Sequence, residues 1–250
     1  MVPVAVIFIN GMNWQLPMKI GLITAMEEEI LSYLDRWGKR KPATRATLDF
    51  YEAQLGPISI VFVKCGIGKT NAAIATQLLI SEFGVDQVIC TGVAGALNPD
   101  LEIGDIVVSK DCAHHDIHLD FLGFERGHIP YMKWRFFEAS TELVSLAKSV
   151  SIPGIKIVLG RVLTGDIFVK NRHYTLQARK DLLGDCIEME GASVAQTCAM
   201  NSIPFVIIRS ISDKANQDAA VDFQAFLKQS SERSCTLVRS MLNAMKEEHR

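Results

Sequence analysis

The stretch Met18-Lys19-Ile20-Gly21-Leu22-Ile23-Thr24-Ala25-Met26-Glu27-Glu28-Glu29 decides the fold. Lys19 to Thr24 is short and rich in Ile and Leu, as a buried strand is. Met26 to Trp37 reads as a helix, and its first turn carries three glutamates that complement the positive end of the helix dipole. Outward from this strand–helix unit the alternation repeats. Thr47–Leu55 and Ile58–Lys64 flank Gly56-Pro57 and predict a hairpin. Thr70–Phe83 is an Ala-rich helix, and Gln87–Thr91 and Ile106–Ser109 are strands around a Gly-rich loop. Residues 111–137 are irregular and too long for a plain connection, which marks a functional loop. Helix Glu138–Val150, strand Lys156–Thr164, helix Asn171–Leu183, strand Cys186–Met189, helix Gly191–Met200, strand Pro204–Ser210 and a last helix over about Phe223–Glu247 complete the chain. Such alternation predicts a single α/β domain: a central mixed, mostly parallel sheet with helices on both faces.

Composition narrows the function. The chain has 250 residues, 48% of them hydrophobic, and a formal net charge of -2, which fits a globular enzyme and argues against a nucleic-acid partner. No run of about 18 apolar residues is present, so no membrane span is expected. Six cysteines, none in a Cys-x-x-Cys spacing, read as reduced buried thiols of a cytoplasmic protein. Residues 1–17 include a short apolar run but no leading Lys or Arg and no cleavage site. They read as an upstream extension of the reading frame, with the domain proper over residues 18–250.

In open α/β sheets, ligands gather beyond the carboxyl ends of strands. The segments expected there are Ala25–Glu29, Cys65–Lys69, Gly92–Ala96, Asp166–Val169, Glu188–Glu190 and Ser210–Asp213, all rich in glycine or carboxylates. Gly66-Ile67-Gly68-Lys69-Thr70 is not a P-loop, because Val63 stands where its first glycine belongs, and Asn71 breaks the dinucleotide fingerprint. His114, His115 and His118 lack a second ligand cluster, so a polar loop near the substrate is favoured over a metal site. Glu29, Glu190 and Asp213, each singly an ordinary structural carboxylate, together at strand ends form a plausible acid–base set.

These segments carry a resemblance. Ile20-Gly21 with Ala25-Met26-Glu27-Glu28-Glu29, Gly66-Ile67-Gly68-Lys69, Thr91-Gly92-Val93-Ala94-Gly95, Gly104-Asp105-Ile106-Val107-Val108-Ser109, Gly165-Asp166-Ile167-Phe168-Val169, Glu188-Met189-Glu190-Gly191-Ala192 and Arg209-Ser210-Ile211-Ser212-Asp213 occur in order. From Met18 to about Met245 the chain resembles the 5'-methylthioadenosine/S-adenosylhomocysteine nucleosidases, of purine nucleoside phosphorylase-like fold. The resemblance implies hydrolysis of the N-glycosidic bond of 5'-methylthioadenosine and S-adenosylhomocysteine, and of 5'-deoxyadenosine, without cofactor or metal. Glu29 matches the base that activates water and Asp213 the acid that protonates adenine N7. Glu190 matches the ribose-binding carboxylate and Met189 a neighbour of the sugar. Phe168 matches the aromatic stacked on adenine and Val169 the backbone partner of the base. Gly95, Ala94 and Ile67 match further lining, and Ser212 and Arg209 support the acid and the pocket.

The resemblance also implies a homodimer, in which Leu119, Leu122 and Pro130 complete the neighbouring subunit's pocket. Two departures stand out: Val93 replaces a serine that many relatives carry, and Leu122 replaces a phenylalanine. Three alternatives stay open: a 6-amino-6-deoxyfutalosine hydrolase of menaquinone biosynthesis, a phosphorylase of the same fold, and a nucleoside-binding protein without catalysis. The chemistry itself asks for two carboxyl groups in different protonation states. The N-terminus of its helix is expected to keep Glu29 ionised, and Glu190 is expected to act as an ionised carboxylate beside a sugar that gains positive charge.

Overall fold

The computed structural model describes residues 18–38, 41–216 and 219–248, so the expected extension over residues 1–17 lies outside the described residues. The opening unit forms as read: β1 (Lys19–Thr24) runs through a two-residue link into α1 (Glu27–Trp37). A short strand that the sequence did not suggest, β2 (Ala43–Arg45), pairs with β3 (Leu48–Leu55). β3 then turns at Gly56-Pro57 into β4 (Ile58–Lys64) as an antiparallel hairpin, and β4 lies parallel to β1.

After α2 (Lys69–Ser81), β5 (Gln87–Ala96) takes the centre of the sheet. Beyond it come β6 (Ile106–His114), β7 (Phe137–Glu138), α3 (Thr141–Ser149), β8 (Ile157–Thr164), α4 (Arg172–Leu182), β9 (Cys186–Glu188), α5 (Gly191–Asn201), β10 (Phe205–Asp213) and α6 (Ala219–Glu248). α3 starts three residues later than the apolar pattern suggested. Phe137 and Glu138 pair with β6 instead, and Ser140 caps the helix by accepting from the Leu143 N–H.

The expected mixed sheet is present, and part of it closes on itself. β5 pairs with β10, β10 with β6, β6 with β8, β8 with β9, and β9 returns to β5, while β1, β4, β3 and β2 extend outward as an open wing. One face packs on α2 and α5 through Ala72, Ala75, Leu79, Ala195 and Cys198. The other packs on α1, α3 and α6 through Ile30, Tyr33, Leu143, Val238 and Leu242. Alternating strand residues serve the two faces, as Leu22 and Ile23 of β1 do. All six cysteines are free and buried, as read from the sequence. Among the described residues no helix is long and apolar enough to cross a membrane.

The ring-and-wing arrangement creates the site. One edge of β5 pairs with β1 as far as Cys90 and with β9 from Gly95 onward. Between these points the two neighbours diverge, and the edge of β5 is open. Ligand crevices of α/β sheets form at such splits.

Candidate active site

Glu29 docks in that split. It is the third residue of α1, and its buried carboxylate turns back to accept from the N–H groups of Ala25 (2.8 Å) and Met26 (3.0 Å) through Oε2. Its Oε1 accepts from Val93 N–H on the open edge of β5 (3.2 Å). Burial pushes the carboxyl above its ordinary value, against the pull of Arg209 and these three N–H groups. The ionised state expected from the helix N-terminus alone is therefore opposed, because the dipole acts on a group that has lost its water.

Gly92–Ala96 was expected to be a loop admitting a ligand. It is instead the end of β5, and its glycines admit carboxylates. A Cβ on Gly92 would lie 2.5 Å from Glu29 Oε1 and 3.0 Å from Arg209 Nη1, and one on Gly95 would lie 2.7 Å from Asp213 Oδ1. Gly92→Ala is thus expected to displace the Glu29 carboxylate from its three N–H donors and lower turnover by about 10²-fold, and unaltered turnover would contradict this.

Asp213 ends β10. Its Oδ1 accepts from the Ala215 N–H (2.8 Å) and its Oδ2 contacts the Ser212 hydroxyl (2.9 Å). Burial raises its carboxyl above the usual value, opposed by those two bonds. Glu190 stands at the start of α5, with Oε1 accepting from Gly68 N–H (2.8 Å). Burial first and the neighbouring Glu188 second push it up to about 8, against Arg209 and the Gly68 N–H. Burial and Glu188 thus favour its protonated form, against the ionised form expected from the sequence. Protonation of Glu190 in the fold stabilises the protein fully below the ordinary value of 4.5, and this contribution is lost as pH rises to about 8. Glu190→Gln does not titrate. Its melting temperature relative to wild type should therefore climb between pH 5 and 8.5, and a pH-independent difference would refute this account.

Arg209 was expected on the pocket wall, but the cavity does not reach it. The side chain is 2% exposed, beneath the floor, where Nη2 and Nε meet Glu188 Oε2 at 2.5 and 3.0 Å. Glu188 also accepts from the N–H groups of Glu190 (3.1 Å) and Gly191 (2.8 Å) and from the Thr164 hydroxyl. Arg209 also lies 3.7 Å from Glu190 Oε2, so it supports the site both directly and through Glu188, a residue to which the sequence reading gave no role. The available signal was an arginine within the otherwise apolar run Val206-Ile207-Ile208-Arg209, since a cation buried there must be paired.

Around these groups lies a partly open, mostly apolar cavity. Its lining includes Glu29, Asp213, Glu190, Gly95, Ala94, Ile67, Phe168, Val169, Met189 and Ser212, so apart from Arg209 the residues expected of one subunit converge. Phe223 joins them unforeseen: it rises from the first turns of α6 and meets Phe168 edge-on, ring centroids 5.7 Å apart. Its place in the fold, not its neighbours in sequence, brings it there.

Leu119, Leu122 and Pro130 do not line this cavity. They sit on the 115–136 segment, where Leu122 is 58% exposed beside exposed Phe121 and Tyr131. His114 and His115 are buried rather than on a substrate-facing loop, bonded to Gln196 (2.9 Å) and the Tyr174 hydroxyl (2.7 Å). Among the described residues no group of three or more His, Cys, Asp or Glu side chains could hold a metal ion.

The chain matches the phosphorylase superfamily over residues 19–243. It is 38% identical to a 5'-methylthioadenosine/S-adenosylhomocysteine nucleosidase of an Exiguobacterium species, over 92% of this chain and 100% of that one. The Helicobacter pylori nucleosidase of that name, bound to an aminopyrrolopyrimidine joined to a thioether-bearing hydroxypyrrolidine, superposes with a TM-score of 0.88 at 32% identity, over 92% of this chain and 100% of that one. A structure named futalosine hydrolase from H. pylori does so equally, with a TM-score of 0.88 at 33% identity over 91% and 98% of the two chains. With identity of this order over nine-tenths of its length, the chain belongs to the 5'-methylthioadenosine/S-adenosylhomocysteine nucleosidases of the phosphorylase superfamily.

Proposed function

We propose that this protein hydrolyses the N-glycosidic bond of 5'-methylthioadenosine and S-adenosylhomocysteine, and of 5'-deoxyadenosine, releasing adenine. The observation that carries this reading is a pair of buried carboxyl groups, Glu29 and Asp213, on the wall of one largely apolar cavity. Adenine leaves poorly as an anion. Asp213, whose carboxyl is raised by burial, gives its proton to N7 as the C1'–N9 bond breaks. The sugar becomes oxocarbenium-like, and Glu29 takes a proton from the attacking water on the opposite face. Glu190, with Oε1 held by Gly68, offers Oε2 to the ribose hydroxyls. As a carboxylate, Glu190 attracts the positive charge growing on the sugar, and that attraction strengthens in the transition state. Phe168 and Phe223 give the base and the 5'-substituent an apolar wall.

Water is favoured over phosphate for a physical reason. The N–H groups of Ala25, Met26 and Val93 converge as an anion site would, at a helix N-terminus. The Glu29 carboxylate already fills that nest. Arg209, the cation beneath it, is already paired with Glu188 and Glu190.

Incubation with 5'-methylthioadenosine, with and without phosphate, tests the reading. Adenine and free methylthioribose in equal amounts under both conditions are expected, and a phosphate-dependent sugar 1-phosphate would overturn it. The likeness to the futalosine hydrolase supports a second substrate, 6-amino-6-deoxyfutalosine, to be tried in the same assay.

We also propose a homodimer of the cytoplasm, in which the 115–136 segment lends Leu119, Leu122 and Pro130 to the neighbouring cavity. Exposed Phe121, Leu122 and Tyr131, which do not line their own cavity, support this. Sedimentation equilibrium should return twice the chain mass, and a monomer at micromolar concentration would exclude it.

A further inference from the structure

Lys69, Asp116 and Asp166 stand beyond the ends of three different strands: Lys69 opens α2 after β4, Asp116 follows β6, and Asp166 follows β8. They close a ring of hydrogen bonds. The Lys69 N–H donates to Asp166 Oδ1 (2.8 Å), the Asp166 N–H donates to Asp116 Oδ2 (3.0 Å), and the Lys69 ammonium returns to both Asp116 oxygens (2.8 and 2.7 Å). The pair is largely withdrawn from solvent, with side chains 22% and 14% exposed. Burial works against the charge on Asp116, yet the ammonium and the Asp166 N–H hold its carboxyl below the usual range.

What the ring holds is the substrate grip. Gly68, immediately before Lys69, gives its N–H to Glu190 Oε1. It does so at φ +103°, a conformation that favours glycine, and a Cβ there would lie 3.1 Å from Asp166 Oδ1. Phe168 and Val169 follow Asp166 by two and three residues, and Phe168 itself is 44% exposed, so few contacts of its own fix it. The loop that orients the ribose carboxylate and the loop that carries the aromatic wall are therefore tied at one point.

We infer that the Lys69–Asp116–Asp166 ring is a latch that fixes Glu190 and Phe168 relative to each other, making Lys69 and Asp116 positioning residues for nucleoside binding. This rests on the nucleosidase reading of the cavity. The latch touches neither Glu29 nor Asp213, so its loss acts through Glu190 and Phe168 and leaves proton transfer in place.

The test uses the full chain. Wild-type cleavage of 5'-methylthioadenosine checks the nucleosidase reading by itself. The latch is checked by ratios of variant to wild type. Lys69→Met and Asp116→Asn should each raise KM for 5'-methylthioadenosine and Kd for adenine by about tenfold, ~1.4 kcal/mol, with a smaller fall in kcat because Glu190 also acts in the transition state. Asp116→Asn keeps an acceptor for the Asp166 N–H and is the gentler of the two. Lys69→Arg, which keeps the charge, should recover most of the affinity. The Kd of 5'-methylthioadenosine in the Asp213→Asn background should move in parallel, without turnover. Unchanged KM and Kd in both variants would overturn the latch. So would a fall in kcat that tracks melting temperature while KM stays constant, because that pattern marks a merely structural ion pair.

Discussion

Asp213→Asn is expected to lower kcat for 5'-methylthioadenosine by roughly 10² to 10⁴, the range for loss of a general acid, while the protein stays folded. Asparagine keeps an oxygen to accept from the Ala215 N–H, and its amide can donate to the Ser212 hydroxyl, so both native bonds of Asp213 have a counterpart. What disappears is the transferable proton. Glu29→Gln should lose a similar factor for a different reason, and it is less innocent structurally. Three backbone N–H groups point at the two Glu29 oxygens, and the amide nitrogen of glutamine can accept from none of them. A methylthioriboside of 4-nitrophenol separates the two roles. That leaving group departs without protonation, so Asp213→Asn should cleave it nearly as well as wild type, whereas Glu29→Gln should not. Equal losses on both substrates would sink the division of labour, and normal turnover of 5'-methylthioadenosine by either variant would sink the site assignment.

Arg209→Met should be the most destabilising single change at the site. It strands Glu188, which is almost fully buried, without its counter-ion. Removing one partner of a buried ion pair costs about 3–5 kcal/mol, or roughly 10 °C in melting temperature for a chain of this size. Adding Glu188→Gln should return part of the loss, because the double variant no longer buries an unpaired charge. Urea denaturation of the two variants decides the matter. A loss below about 1 kcal/mol, the level of a surface pair, would mean that the guanidinium does not anchor Glu188. Glu188 holds the backbone N–H groups of Glu190 and Gly191, so turnover should fall in Arg209→Met even at temperatures where it remains folded.

Apart from the short β2 and β7, the strand starts were legible because apolar runs announce them, but three strand ends were not. β5, β6 and β10 run past their expected ends at Thr91, Ser109 and Ser210 to Ala96, His114 and Asp213. At those ends the residues become small or polar and the apolar pattern fades. The backbone ladder continues all the same, because strands of the closed ring supply partners that a single sequence window cannot show. The same blindness made Gly92–Ala96 look like a loop.

The sequence alone pointed to the family and the layered α/β plan and singled out the three carboxylates that line one cavity, because those readings depend on residue types at spacings along one chain. The tertiary structure decided their state and support. Burial raises Glu29 and Glu190 where the sequence reading expected ionised groups, and it raises Asp213 as its role as an acid requires. Closure of the ring puts Arg209 beneath the floor with Glu188 as its partner, and the start of α6 brings Phe223 to the wall. Desolvation and contact between distant segments are properties of three-dimensional packing, and no local pattern in the chain encodes them.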